Sequence, residues 1–156
     1  MTRVYMPTPA ESTRKPATVI HIKQAGVTPN GMIAGTGGSV RLYGVVLPDA
    51  SKICASSSGE GWPCGRRAYI ALHNKVAAQT LACEPKTTAE PIMADCQVGK
   101  TNLSVWFLSQ GLGRLAPNIA DKELIAAEAA ARKANLGIWR DPRELSASAS
   151  ARNAKP

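Results

Sequence analysis

Branched apolar residues alternate with polar ones along Thr18-Val19-Ile20-His21-Ile22-Lys23, the period-2 pattern of a strand with one buried face. Pro29-Asn30-Gly31 reads as a hairpin turn, because Asn-Gly accepts positive φ. A second strand is predicted at Met32–Thr36, a turn at Gly37-Gly38 and a third strand over Val40–Val46. The Ser- and Gly-rich stretch from Pro48 to about Gly61 is a loop. The period then changes: Ala68, Leu72 and Val76 recur at helical spacing within Trp62–Ala77, with Pro63 suited to the first turn. Two further strands are expected at Thr80–Cys83 and Ile92–Val98, joined by the polar loop Glu84–Pro91. Thr101 or Asn102 caps a helix through Leu108 that Gly111 and Gly113 stop. A last, Ala-rich helix runs from Asp121 to Asn135, Gly137 ends it, and Ile138-Trp139 folds back as an apolar anchor.

Three strands in a meander, a helix inserted after the third, two more strands and C-terminal helices describe a mainly β α+β domain. The order is that of a five-stranded OB-type barrel with about three helices. The domain spans 17–140, with a flexible arm over 1–16 and a disordered Ser/Ala/Arg/Pro tail over 141–156. No internal repeat is present.

With 156 residues, 44% of them hydrophobic, the chain can bury a core, and with only 4% aromatics that core rests on Val, Ile, Leu and Ala. Nineteen Lys and Arg against eleven Asp and Glu leave a net charge of +8, which favours a polyanionic partner. The charges form no long run, so a role in solubility alone is the plainer reading. The four cysteines, Cys54, Cys64, Cys83 and Cys96, show no C-x-x-C spacing, which argues against zinc. Pairing neighbours as Cys54–Cys64 and Cys83–Cys96 gives two disulfides and an oxidising compartment; four buried thiols are the alternative. Met1–Pro16 is polar and Pro-rich, so a periplasmic or secreted protein requires a leader outside this sequence. No stretch reaches the length of a membrane span, and the residues do not indicate an oligomeric state.

The stretch Arg41-Leu42-Tyr43-Gly44-Val45-Val46-Leu47-Pro48-Asp49 carries the candidate chemistry. An arginine on a strand and an acid on the loop after it can flank one phosphodiester, the first holding oxygens and the second taking a proton from water.

From Val40 to Trp139 the chain resembles the staphylococcal-nuclease-like (thermonuclease) family. The resemblance is carried by Val40-Arg41-Leu42-Tyr43-Gly44-Val45, Pro48-Asp49, Cys64-Gly65-Arg66-Arg67-Ala68, Leu103-Ser104 and Ser109-Gln110-Gly111-Leu112. It continues in Glu128-Ala129-Ala130 and Gly137-Ile138-Trp139. The cysteines look like those of its disulfide-bearing bacterial members. The resemblance implies a five-stranded OB barrel with three helices and an ancestry of cutting DNA and RNA with calcium, two arginines and a glutamate. Carried over by position, the first arginine is Arg41, and the glutamate falls at Asp49, one methylene shorter. The calcium-binding aspartates fall near Gly31 and at Val46, with Leu47 at a threonine position. The second arginine falls at Pro91, and no arginine lies between Arg67 and Arg114. The family's nucleotide-flanking tyrosines have no match around Ala116-Pro117-Asn118.

These departures imply a domain without a calcium site or other cofactor, in which Arg41 and Asp49 are a remnant of the catalytic set. Arg41, Arg66 and Arg67 would then bind a polyanion, either nucleic acid or acidic polysaccharide. An alternative is a secreted nuclease with a rearranged site that adds Arg66, Arg67 or Glu90 to Arg41 and Asp49. A further alternative, by analogy with soil-bacterial relatives, is an accessory protein of acidic exopolysaccharide (succinoglycan) synthesis, and a plain interaction domain is the last. On the plainer readings Arg41 pairs with Asp49, Asp49 braces its turn, and Arg66 and Arg67 form a solvated helix face. His21 and His73 have no partner at metal-ligand spacing, Trp62, Trp106 and Trp139 pack, and Glu128 makes a buried contact with the barrel.

Overall fold

A bent first strand organises the barrel. The computed structural model describes residues 18–146. The predicted arm, and the tail beyond 146, lie outside the described residues. Strand β1 (Ile20–Val27) pairs through Ile20–Ile22 with β7 (Leu81–Pro85) and through Lys23–Val27 with β2 (Ile33–Thr36). Just past the switch of partner, between Lys23 and Gly26, the register with β2 gains one residue, with Gln24 at φ 52°, and this bulge bends the strand. Strand β2 continues antiparallel into β3 (Gly38–Leu42), and β7 pairs antiparallel with β8 (Met93–Val98).

The sheet closes on itself where β3 runs parallel to β8, matching Arg41 to Met93 and Leu42 to Ala94. Five strands in the order β3-β2-β1-β7-β8 therefore form a closed mixed barrel, as the residue pattern predicts for an OB-type fold. The third strand is shorter than its apolar run suggests. Gly44, at φ 82°, turns the chain, and Val45–Val46 starts again as β4. A side chain at Gly44 would also meet the Leu124 methyl at 2.5 Å, so the turn and the close approach both require glycine. Two short ladders join segments of two residues each, too short to show a period in the sequence. Strand β4 pairs with β10 (Arg114–Leu115), and β5 (Cys54–Ala55) pairs with β6 (Gly61–Trp62). Strand β9 (Thr101–Asn102) extends the edge beyond β8.

Among the described residues three α-helices of two turns or more cover the barrel. Helix α1 (Cys64–Val76) buries Cys64, Ala68, Leu72 and Val76, one stripe at four-residue spacing. Helix α2 (Leu103–Ser109) starts on an Asn102 side chain that accepts from the Val105 N–H at 3.0 Å. Its Ser104 hydroxyl donates to the Tyr43 carbonyl at 2.6 Å, tying the helix to the end of β3. Helix α3 (Lys122–Lys133) is capped by Asp121 and sends buried Glu128 to accept from the Leu115 N–H at 2.6 Å. Both predicted disulfides are present: Cys83–Cys96 joins facing residues of β7 and β8, and Cys54–Cys64 fastens the β5–β6 hairpin to the start of α1. Among the described residues no cysteine is free, and no helix is long and apolar enough to cross a membrane.

The packed domain extends past Arg140, where composition places its end. A 3₁₀ turn at Gly137–Arg140 buries Ile138 and Trp139 with Cys54, Cys64 and Ala131. The buried Asp141 carboxylate then accepts from the Ala55 N–H at 2.8 Å and from Arg143. Glu144 bridges Lys52 and Arg114 at 2.9 and 3.1 Å, and residues 142–146 are helical. The contacts of Asp141 with Ala55 and of Glu144 with Lys52 and Arg114 exist only in three dimensions, which a local reading of a Ser/Ala-rich tail does not reveal.

Replacing Cys54 and Cys64 together by alanine should lower the unfolding free energy by about 2–3 kcal/mol in urea titrations, the range for a short closed loop. An unchanged midpoint would show that packing alone holds the hairpin to α1. Hydrogen bonds from the Arg143 side chain hold the Asp141 carboxyl well below the usual carboxylate range; burial opposes them, and the backbone N–H groups of Ala55 and Arg143 add to the lowering. A depressed folded pKa contributes stability above the unfolded value, near 3.9, that is lost as pH falls through the folded one. Wild type should therefore exceed Asp141→Asn in stability at neutral pH, and the gap should narrow below about pH 4. A gap independent of pH would remove the charge of Asp141 from the account.

Candidate anion-binding site

Arg41 is the penultimate residue of β3, and the barrel seam holds it in place. Its backbone N–H donates to the Ile92 carbonyl at 2.8 Å, and its register partner Met93 is held through both backbone groups. The Lys86 N–H donates to the Met93 carbonyl at 2.7 Å, and the Met93 N–H donates to the Thr87 hydroxyl at 2.9 Å. Strand alternation points Leu42 into the core and leaves Arg41 half-buried on the other face. There it lines a cavity of about 200 Å³ together with Gly31, Leu42, Val45, Val46, Leu47, Tyr69 and Met93.

The walls are aliphatic, with one fixed cation, one phenol and no carboxylate. Among the described residues no ion pair involves Arg41. Gly31 shapes the mouth. It stands at φ 83°, and a Cβ there would lie 3.3 Å from the Tyr69 hydroxyl, 3.6 Å from Leu47 Cδ2 and 3.8 Å from Arg41 Nη1. The phenol and the guanidinium thus converge on one small space left by a glycine.

Asp49 is not part of this cavity and does not pair with Arg41. Its Oδ1 accepts from the Ser51 N–H at 2.8 Å and the Ser51 hydroxyl at 2.6 Å, an Asx turn on an exposed loop. The Ser51 hydroxyl, then its N–H, lower the Asp49 pKa, which makes the carboxylate a weaker base. Arg66 and Arg67 are exposed on the first turn of α1, and among the described residues no acid pairs with either. Strand β7 takes Glu84 and Pro85 from the predicted loop, and Pro91 follows Glu90 through a cis bond in the exposed stretch 86–91 that remains.

Tyr69 is the residue that sequence reasoning passed over. It flanks the buried 68/72/76 stripe and also lines a second, shallower cavity of about 270 Å³ with Val27, Ile70, His73 and Asn74. There His73 Nδ1 accepts from the Val27 N–H at 3.2 Å, a structural use; His21 lies at the other end of β1. Arg66, Tyr69, Ile70, His73 and Asn74 follow the i, i+3, i+4, i+7, i+8 spacing of one helix face, a signal present in the sequence. Ile70 on that face is 48% exposed.

Trp139 and Trp62 are packing residues with cationic neighbours. Arg114 and Arg132 each stand 5.4 Å from the Trp139 ring, and Arg140 lies 4.8 Å from the Trp62 ring. Four basic residues, Lys52, Lys86, Arg114 and Arg143, are paired with acids, so the positive charge left over includes Arg41, Arg66 and Arg67. Among the described residues no group of three or more His, Cys, Asp or Glu is placed to hold a metal ion.

The family model described as staphylococcal nuclease homologue matches residues 39–141, about two-thirds of the chain. No curated protein matches it.

Proposed function

The chain belongs to the family of staphylococcal nuclease homologues, and from that premise we propose that it binds polyanions without cutting them. The observation that carries this reading is Arg41: a half-buried guanidinium without an acid partner among the described residues, in a cavity without a carboxylate. Calcium does not fit there. The ion takes six to eight hard oxygens, and the positions where the resemblance places its aspartates are Gly31 and Val46. Side chains of that kind supply neither oxygen nor charge to replace the hydration shell.

Hydrolysis also asks for a base beside the attacked phosphorus and a second cation for the developing charge. Asp49 faces Ser51 with a lowered pKa, and Pro91 stands where a second arginine is expected. What survives is the part that binds. Arg41 at the mouth, Arg66 and Arg67 on α1 and a net charge of +8 suit a nucleic acid strand or an acidic polysaccharide. Two disulfides point to an oxidising environment, and the periplasm or the cell exterior is the compartment we assign.

Single-stranded DNA, RNA and an acidic polysaccharide should each survive incubation with the protein in Ca²⁺. At least one should bind, as read by fluorescence anisotropy. Arg41→Ala should weaken that binding roughly tenfold, the loss of one charge-assisted contact. For a single strand held by three cations the slope of log K against log salt should be about −2, and Arg66→Ala with Arg67→Ala should flatten it by roughly 1.4. Cleavage requiring both Ca²⁺ and Arg41 would overturn the proposal.

A further inference from the structure

The cavity behind Arg41 has a chemistry of its own, distinct from that of a surface that follows a polymer. We propose that it takes a small monoanion with an apolar body, such as a branched-chain carboxylate. The inference rests on the reading of Arg41 as an anion-binding residue, but not on the identity or existence of a polymer.

Three observations carry it. The first is convergence. Tyr69 Oη and Arg41 Nη1 lie 3.3 and 3.8 Å from the same point, the position that a Cβ on Gly31 would take. That point is one bond from the Gly31 Cα, too close for a ligand atom, but it brings the two donors near enough for the paired oxygens of one carboxylate to accept from both. The Gly31 N–H is spent on the Thr28 carbonyl at 2.9 Å, so these two side chains are the donors that define the polar end. The second is the wall. Leu42, Val45, Val46, Leu47 and Met93 surround the rest of the space, and Val46, 44% exposed, stands where the cavity opens to solvent.

A sugar ring seated there would leave hydroxyls against Leu, Val and Met with nothing to bond, and each unmade bond costs binding. A phosphate dianion would face one guanidinium with a second charge uncompensated. A carboxylate places both oxygens at the donors and its hydrocarbon on the aliphatic wall. The third observation is size. A cavity of about 200 Å³ admits a short branched acid such as 3-methylbutanoate and is small for a sugar chain or a nucleotide. A bound carboxylate neutralises Arg41, so it also weakens the grip on any polymer that uses the same guanidinium.

The experiment is a titration of the whole protein, read by the ¹³C-methyl signal of Met93 and by calorimetry. The probes are 3-methylbutanoate, 3-methylbutanamide, acetate and inorganic phosphate. The expected result is that 3-methylbutanoate shifts the Met93 methyl. The neutral amide should bind roughly 10–100-fold more weakly, because its contact with Arg41 is no longer ionic. Acetate should bind roughly 50-fold more weakly for want of three carbons. Tyr69→Phe, which keeps the ring, should cost about fivefold, and Arg41→Met should cost as much as the amide. A circular-dichroism melt checks that both variants fold, and the amide and acetate comparisons on wild type require no variant.

Phosphate or acetate binding as tightly as 3-methylbutanoate would overturn the proposal and reduce the site to a bare surface arginine. No shift at Met93 with any probe would overturn it as well. Polymer binding in anisotropy with no response to 3-methylbutanoate would sink this inference and leave the polyanion reading standing. A saturable 3-methylbutanoate response with no polymer binding would do the reverse.

Discussion

The parallel seam between β3 and β8 is the constraint on which the rest of the structure depends. It is the pairing that turns an antiparallel meander into a closed barrel, and it joins residues more than fifty positions apart. The Arg41 N–H donates to Ile92 and the Tyr43 N–H to Ala94, so the end of β3 is held to β8 on alternate residues. Closing the seam places Leu42 and Ala94 in the core and fixes the backbone from which Arg41 projects. The Tyr43 carbonyl, next along the same strand, accepts from Ser104 and so registers α2 against the barrel. Gly44 follows at positive φ, and the chain leaves the seam toward the cavity wall at Val45, Val46 and Leu47. One ladder therefore sets the core, a helix and the site.

What the sequence disclosed and what it hid divide along the same physical line. Local signals identified β1, β2 and β3, the stripe of α1, the cap at Asn102, the helix after Asp121 and the anchor at Trp139. Each rests on residues within a turn or two of one another, where periodicity and caps operate. The pairings β4–β10 and β5–β6, the buried Asp141 and the bridge from Glu144 to Lys52 and Arg114 join distant segments of two or three residues. Segments that short carry no period. The cysteines were the exception, because neighbours in sequence proved neighbours in space.

The site was half legible for the same reason. Arg41 was visible because its surroundings in sequence are distinctive, and the want of acids near it could be counted directly. Tyr69 was not, because it comes to Arg41 from a helix that long-range contacts place there, the Cys54–Cys64 disulfide and the Val27 bond to His73 among them. Asp49 follows the plainer of its two sequence readings: a serine two residues on offers two hydrogen bonds at once, and the Asx turn wins.

The charge arrangement separates what holds this fold from what it offers to a ligand. Acids are spent where they fasten segments: Asp141 on Ala55 and Arg143, Glu144 on Lys52 and Arg114, Glu128 on Leu115. Among the described residues none is spent on Arg41, an arginine whose backbone the barrel closure holds in place. A guanidinium kept half-buried against Leu, Val and Met loses part of its hydration without regaining it from a carboxylate. Stability alone would favour a leucine or a methionine at that position, in keeping with its walls. On the reading proposed above, an anion completes the arginine. The cost of holding it unpaired in the free protein is then part of the affinity for that anion, since the donors need no rearrangement when it arrives.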